Sequence, residues 1–451
     1  MKRYAVSPAQ WPIAASGVEM PKRGRKGTKS LSPTLIIPSS SAFPSQMTGM
    51  LPSIPAMPPT MNPVLRSYVQ TLDSQCAPTN WDINIPQAPS VNAWLNARQP
   101  ECKLGYKNIG EGSYGAVYRC ADPDAKEATK VVKMPNAQYC GRNQSEATIP
   151  NLVKQRCDQA QLPCPVATVL ETRKFKVGND TYMALDMPLF RGGSADEYFF
   201  KMGEQIRTMS PQHFVENYLD LSILLRELHG EPFLIAHRDI KPSNLLMNED
   251  HSKLFLADFG IQCYNGNDWE IPTDMRCYNT PNAGTTRYLS PAILFRNNTP
   301  FDNDNFALAL SMLEILLREP YYNSATYNAL KGIVQRRAPT KSNFDILHRN
   351  YAKQNNEILR EASHIANTSR FAQPGGNPLR FIYAVFCCIL QSHPSRLAVR
   401  PSPDEVIHLL QNTPTLFDPT ALGEKYEPFL QLLWESYLDP ENPKAQTLYF
   451  L

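Results

Sequence analysis

The sequence predicts an α+β fold in two lobes, a small β-rich lobe and then a larger helical lobe, behind an N-terminal extension with no core of its own. Three observations carry this. Residues 1–100 hold fifteen of the forty prolines and show no hydrophobic periodicity. Short apolar runs flank a glycine-rich turn between residues 103 and 134. Apolar residues recur at helical spacing from Phe214, most plainly beyond residue 301. Strands first and helices later point to segregated α and β layers. The chain has 451 residues, 42% of them hydrophobic, enough for a large core.

Residues 1–80 read as a disordered, basic, Ser/Pro-rich extension. Residues 1–100 carry nine Lys/Arg against three Asp/Glu, although the whole chain is only +3. That overall near-balance argues against a nucleic-acid coat and a polybasic membrane-surface protein. The longest strongly apolar run, Phe381 to Leu390, is ten residues, short of the roughly 20 a membrane span needs. Two segments between residues 21 and 60 fit partner contacts. Pro21-Lys22-Arg23-Gly24-Arg25-Lys26 suits an import receptor, and equally a solvated charge run. Pro52-x-x-Pro55-x-x-Pro58 could fit an SH3-type groove, although a plain linker is the favoured reading of it. Residues 81–100, with Trp81, Ile83, Ile85, Trp94 and Leu95, are apolar enough to pack on the domain that begins near residue 101.

The ten cysteines show no CxxC and no zinc-ligand spacing. They are expected to be reduced thiols of an intracellular protein, cytoplasmic or nuclear, Cys263 and Cys277 included. The sequons at Asn143, Asn179, Asn297 and Asn367 are then chance matches.

Lys103 to Cys120, Ala128 to Met134 and Thr181 to Met187 are expected strands. Short strand pieces are expected around His237–Asp239 and Leu254–Asp258. Phe214 to His229, Phe306 to Leu317, Leu379 to Leu390 and Pro403 to Gln411 are expected helices. Residues 336–378 read as an insertion between helices, and 413–451 as a C-terminal tail.

The chemistry begins at Ile109-Gly110-Glu111-Gly112-Ser113-Tyr114-Gly115-Ala116-Val117. Glycines at this spacing let backbone approach phosphates closely. In dinucleotide folds they lead from a strand into a helix; here strand-forming Ala116-Val117-Tyr118 comes next, which favours a phosphate-covering hairpin. Lys133 ends the apolar run Val131-Val132 and needs an anion. His237-Arg238-Asp239-Ile240-Lys241-Pro242-Ser243-Asn244 is followed by Ala257-Asp258-Phe259-Gly260. Carboxylate and carboxamide oxygens suit Mg²⁺. A second carboxylate can accept a hydroxyl proton, and a lysine beside it can neutralise a transferring phosphoryl group.

In this order, over residues 101–412, the motifs resemble those of the eukaryotic-type protein kinases. The resemblance implies a two-lobed protein kinase fold, with the N-lobe over about 101–186 and the C-lobe over about 187–412. It implies ATP and Mg²⁺ as cofactors and proteins as substrates. The glycine loop (Ile109, Gly110, Gly112, Gly115, Val117) would cover ATP, and Lys133, paired with Glu146, would bind its α/β-phosphates. Backbone near Leu185-Asp186-Met187 would hold adenine. Asp239 would accept the substrate proton beside Lys241, and Asn244 and Asp258 would hold Mg²⁺. Lys241 and Gly284-Thr285-x-x-Tyr288 look like the serine/threonine branch, and Thr280 lies near the position of an activating phosphate.

Three departures from the family pattern stand out. Pro150 follows Glu146 by four, so the helix is either kinked or begins near Pro150. Ser290-Pro291-Ala292 stands where the family has Ala-Pro-Glu, so Arg400 lacks its usual partner and needs another acidic group or more solvent. Val131 replaces an alanine over adenine. The competing functions are a pseudokinase scaffold that binds without transfer, and a small-molecule kinase.

Overall fold

In the computed structural model, the described residues are 87–98, 102–112, 115–124, 129–135, 140–201, 208–265, 276–277, 283–290, 299–322, 328, 354–355, 357–366, 377–392 and 400–412. The chain divides into a unit of residues 1–56 and one of residues 57–451, and every described residue lies in the second. The expectations for residues 1–80, Trp81, Ile83, Ile85, Thr280, Ala292 and 413–451 fall outside the described residues. So does most of the 336–378 insertion, although residues 357–366 are helical.

The first part is a six-stranded sheet. Its strands are β1 (Gln87–Ala88), β2 (Tyr106–Gly112), β3 (Gly115–Cys120), β4 (Lys130–Pro135), β5 (Glu171–Val177) and β6 (Asp180–Pro188), in the order β1-β5-β6-β4-β3-β2. β1 runs parallel to β5 and the other pairs are antiparallel. Helix α1 (Val91–Arg98) follows β1, and α2 (Cys140–Gln159) follows β4.

Side chains alternate across a strand, and the two faces of this sheet have separate cores. On one face Val131, Met183, Leu185 and Met187 pack with Ala147 of α2 and with Ala257. On the other, Val132, Met134, Phe175 and Ala184 pack against Trp94 and Leu95 of α1. Trp94 stacks on Phe175 with ring centroids 4.0 Å apart. β5 has no counterpart among the expected strands. Its sequence Glu-Thr-Arg-Lys-Phe-Lys-Val contains one buried residue, Phe175, so apolar alternation is faint.

The helical part contains α3 (Pro211–His229), α4 (Pro300–Leu317), α5 (Pro378–Gln391) and α6 (Pro403–Asn412). Each starts on proline after a Ser, Thr or Asn. Ser210 Oγ accepts from His213 N, and Asn377 Oδ1 from Arg380 N. Thr299 and Asp302 form a reciprocal box, as do Ser402 and Glu405. Proline costs nothing at the first helical position, where its missing N–H has no intrahelical role. The cap supplies an acceptor for otherwise unsatisfied N–H groups. Three of these helices therefore begin earlier than apolar periodicity suggests. Among the described residues, no helix is long and apolar enough to cross a membrane.

Four cysteines depart from the expectation of free thiols. Cys102 is bonded to Cys120, and Cys263 to Cys277, with Cα atoms 5.8 and 5.0 Å apart. The first pair meets because β2 and β3 bring Tyr106 opposite Cys120. Such pairs belong to oxidising surroundings. Cys157, Cys164, Cys387 and Cys388 are free.

Candidate active site

Two short two-stranded ladders frame the cleft side of the helical part. β7 (Ile235–Ala236) pairs with β10 (Cys263–Tyr264), and β8 (Leu245–Met247) pairs with β9 (Leu254–Leu256). His237 to Asn244 runs between β7 and β8, and Asp258 comes after β9. Asp304 of α4 shapes the first of these loops. Its carboxylate, fully buried, accepts the backbone N–H groups of His237 (2.6 Å) and Arg238 (2.7 Å) and meets His229 Nε2 at 3.0 Å.

Asp239 is 4% exposed and densely bonded. Its Oδ1 accepts from Thr285 Oγ1 at 2.7 Å and from Thr285 N at 3.2 Å. Its Oδ2 accepts from Lys241 Nζ at 2.7 Å and from Asn244 Nδ2 at 3.1 Å. Lys241 also donates to Thr285 Oγ1 at 2.9 Å. Gly284 makes this possible. With φ of +126°, a Cβ there would lie 2.4 Å from Arg238 O, so only glycine fits. Thr285 appears in the sequence only as half of a Gly-Thr pair, and its contact with Asp239 is decided by the fold.

Lys133 links the two halves. Its Nζ is bonded to Glu146 Oε1 and to Asp258 Oδ1, the latter at 2.8 Å. Burial pulls the Lys133 ammonium down, but Glu146 and Asp258 outweigh it and the net shift is upward. Burial pushes Asp258 up, yet Lys133 holds it below the usual carboxylate range. Burial raises Glu146, and Lys133 opposes this only in part. Glu146 reaches Lys133 because α2 begins at Cys140 and continues through Pro150 to Gln159. Pro150 deprives only the Glu146 carbonyl of its helical donor.

Asp258 adopts a left-handed φ of 67°, which turns its side chain toward Lys133. Ala257 N donates to Asn244 O at 2.9 Å, so the two candidate metal ligands sit at adjoining strand ends. His237 Nε2 meets Ala257 O at 3.1 Å, and its ring lies edge-on to Phe259. Burial depresses the His237 pKa and favours neutral imidazole.

The glycine turn joins β2 to β3 as a hairpin, with Gly110 opposite Val117 and Gly112 opposite Gly115. Ile109 is 42% exposed, and Val117 packs beside Val131. A strand on both sides of the turn excludes the strand-to-helix geometry of a dinucleotide fold.

Leu185, Asp186 and Met187 lie in β6. Leu185 and Met187 share the cleft-side core, while Asp186 stands opposite Val132 and points to the other face. Its carbonyl oxygen accepts from Leu170 N at 2.7 Å. β6 continues to Pro188, and Leu189 N donates to Thr129 O at 2.8 Å. Of Asp186 and Met187, only Met187 faces the cleft.

Arg400 meets a hydroxyl and an aromatic ring. Its Nη1 donates to buried Ser290 Oγ at 2.9 Å, and the guanidinium lies 5.3 Å from the Phe306 ring centroid. The segment that ends at Ser290 is anchored by Glu314 of α4. Glu314 accepts from Tyr288 Oη (2.6 Å) and Tyr321 N (3.0 Å), and lies 3.2 Å from Arg287 Nε. The sequence offers no signal for Glu314 or for His229 beyond their place in apolar helices.

The protein kinase domain family matches residues 105–386. Serine/threonine-protein kinase VIK of Arabidopsis thaliana is 31% identical over 156 residues, covering 33% of each chain. A putative mitogen-activated protein kinase kinase kinase 7-like protein of Drosophila melanogaster is 24% identical over 236 residues, 52% of this chain and 54% of its own. Calcium-dependent protein kinase 3 of Plasmodium yoelii yoelii is 30% identical over 207 residues, 42% of this chain and 32% of its own. The chain thus spans between a third and about half the length of these relatives.

Proposed function

Because this chain belongs to the protein kinase family, we propose that it transfers the γ-phosphoryl group of ATP to serine or threonine hydroxyls of protein substrates. The observation that carries the reading is the joint arrangement of Lys133, Glu146 and Asp258 with the bonded set Asp239, Lys241, Asn244 and Thr285.

The residues fit nucleotide and metal. Asp258 is held ionised by Lys133, and the Asn244 amide nitrogen is committed to Asp239, which leaves the amide oxygen as donor. A carboxylate and a carboxamide oxygen suit Mg²⁺, which usually completes its shell with phosphate and water. Bound Mg²⁺ would neutralise charge developing on the phosphates.

The chain's own groups do the rest. Lys133 orients the phosphates while Glu146 fixes its ammonium. The β2–β3 hairpin covers them and limits water. Asp239 takes the proton of the acceptor hydroxyl. Lys241, already bonded to Asp239 and Thr285, is poised beside the transferring group and offsets its negative charge. Thr285, in contact with the base, supports a serine/threonine acceptor.

The test is transfer from labelled ATP with Mg²⁺ to a generic basic protein, followed by phosphoamino-acid analysis. Phosphoserine or phosphothreonine, lost in Asp239→Asn, supports the reading. Nucleotide binding without transfer would establish a pseudokinase, and phosphotyrosine would overturn the serine/threonine assignment.

A further inference from the structure

We propose that the Cys263–Cys277 disulfide is a positioning element for phosphoryl transfer, holding the segment after Asp258-Phe259-Gly260 in register with the loop that carries Asp239. The proposal rests on the kinase reading above and assigns these two cysteines a role in that site.

The connection is short and continuous. Cys263 opens β10 and lies opposite Ala236 of β7, whose next residue is His237. Cys277 lies fourteen residues further on, and its neighbour Arg276 bridges to Tyr264. Both cysteines are 1% exposed and pack with Ala236, against Phe301 of α4. Phe301 stacks on His229, ring centroids 4.4 Å apart. His229 meets Asp304, the carboxylate that receives the His237 and Arg238 N–H groups. Two residues before Cys263, Ile261 O accepts from Arg238 Nε at 2.6 Å. The disulfide therefore touches the loop bearing Asp239 by two routes, through the strand pair and through Phe301.

The physical need is plain. β7 and β10 are two residues each, and so short a ladder is marginal in water. A covalent loop restricts the alternatives open to the segment. When the bond is absent, β10 leaves β7 more often, and Asp239 loses a fixed orientation. A displacement of about 1 Å at a catalytic group costs up to about 10²-fold in rate. Lys133 and Asp258 are held from the sheet and α2, so nucleotide affinity stays.

The experiment compares the full chain with the Cys263→Ser/Cys277→Ser double variant. The expected result is a kcat lower by about 10- to 100-fold, a KM for ATP changed less than about twofold, and faster amide exchange over residues 235–241. Cys164→Ser, a free thiol that the site does not use, keeps its kcat per folded molecule.

A second arm uses the unmutated chain, treated with a small dithiol. Its thiolate attacks one protein sulfur, forming a mixed disulfide and releasing the other cysteine as thiolate. The reagent's second thiol then resolves the mixed disulfide, leaving two protein thiols and oxidised reagent. Replacing the dithiol with oxidised glutathione reforms the protein bond, releases reduced glutathione and is expected to restore kcat.

An unchanged kcat, or a loss matching only the unfolded fraction with unchanged exchange at 235–241, overturns the proposal. An unmutated chain that binds nucleotide and transfers nothing overturns the kinase reading, and the positioning role with it.

Discussion

Asp239 shows how much one carboxylate depends on its neighbours. Four bonds from Thr285, Lys241 and Asn244 fix both oxygens. Asp239→Asn preserves shape and removes the proton acceptor. Steady-state transfer is expected to fall by about 10²- to 10⁴-fold, with the melting temperature within a few degrees of the parent. Asp258 carries the acid dependence. Its folded pKa lies below the unfolded value of about 3.9. Its contribution to stability is complete above that value and is lost as pH falls through the folded pKa. Chemical denaturation at pH 7 and at successively lower pH below the unfolded value is expected to separate the parent from Asp258→Asn at neutral pH and to narrow the gap as pH falls. A gap that stays constant would assign the stability to another group.

At the scale of elements, α2 must dock firmly for Glu146 to reach Lys133. Asn151, the residue after Pro150, does this with one amide group. Its Nδ2 donates to Val169 O at 2.7 Å, and its Oδ1 accepts from Val169 N at 2.9 Å. Asn151→Ala leaves two backbone groups unpaired. The expected loss is about 1–3 kcal/mol of stability, read from urea midpoints, with lower transfer as Glu146 drifts. α1 is a second docking element. Trp94, 8% exposed, covers Phe175 and the outer face of the sheet. Trp94→Ala is expected to cost about 3–5 kcal/mol, and nucleotide affinity measured on the folded fraction should not change, because α1 lies on the face away from the cleft. The four Ser/Thr/Asn-Pro starts of α3 to α6 are legible in the sequence. Periodicity alone places three of them late: the first turns of α3 and α4 contain polar residues, and the proline that opens α5 precedes its apolar run.

Across the whole molecule, α4 is the central post. It holds the Asp239 loop through Asp304, the disulfide through Phe301, Arg400 through Phe306, and the segment ending at Ser290 through Glu314. Glu314 is 1% exposed, and burial raises its pKa. Glu314→Leu leaves Tyr288 Oη and Tyr321 N without their acceptor, and a buried donor left unpaired costs about 1–3 kcal/mol. Arg287, 28% exposed on its side chain, can turn to water and adds little to that loss. Thermal unfolding would register it, and transfer by the folded fraction should also fall, because Thr285 lies two residues before Arg287.

The fold class and the chemical groups of the site are readable from the chain alone, because they are written in short local strings. Alternation marks strands, cap-proline pairs mark helix starts, and three compact motifs name the lysine and the two aspartates. Partnership between distant residues is not written there. Cys263 with Cys277, Arg400 with Ser290 and Glu314 with Tyr288 are joined by packing across 14, 110 and 26 positions. Asp186 and Met187 are neighbours in sequence, yet the pleat sends them to opposite faces once the strand register is set. Register, burial and partner choice come from minimising unpaired polar groups in the assembled core, and that sum exists only when the whole chain has folded.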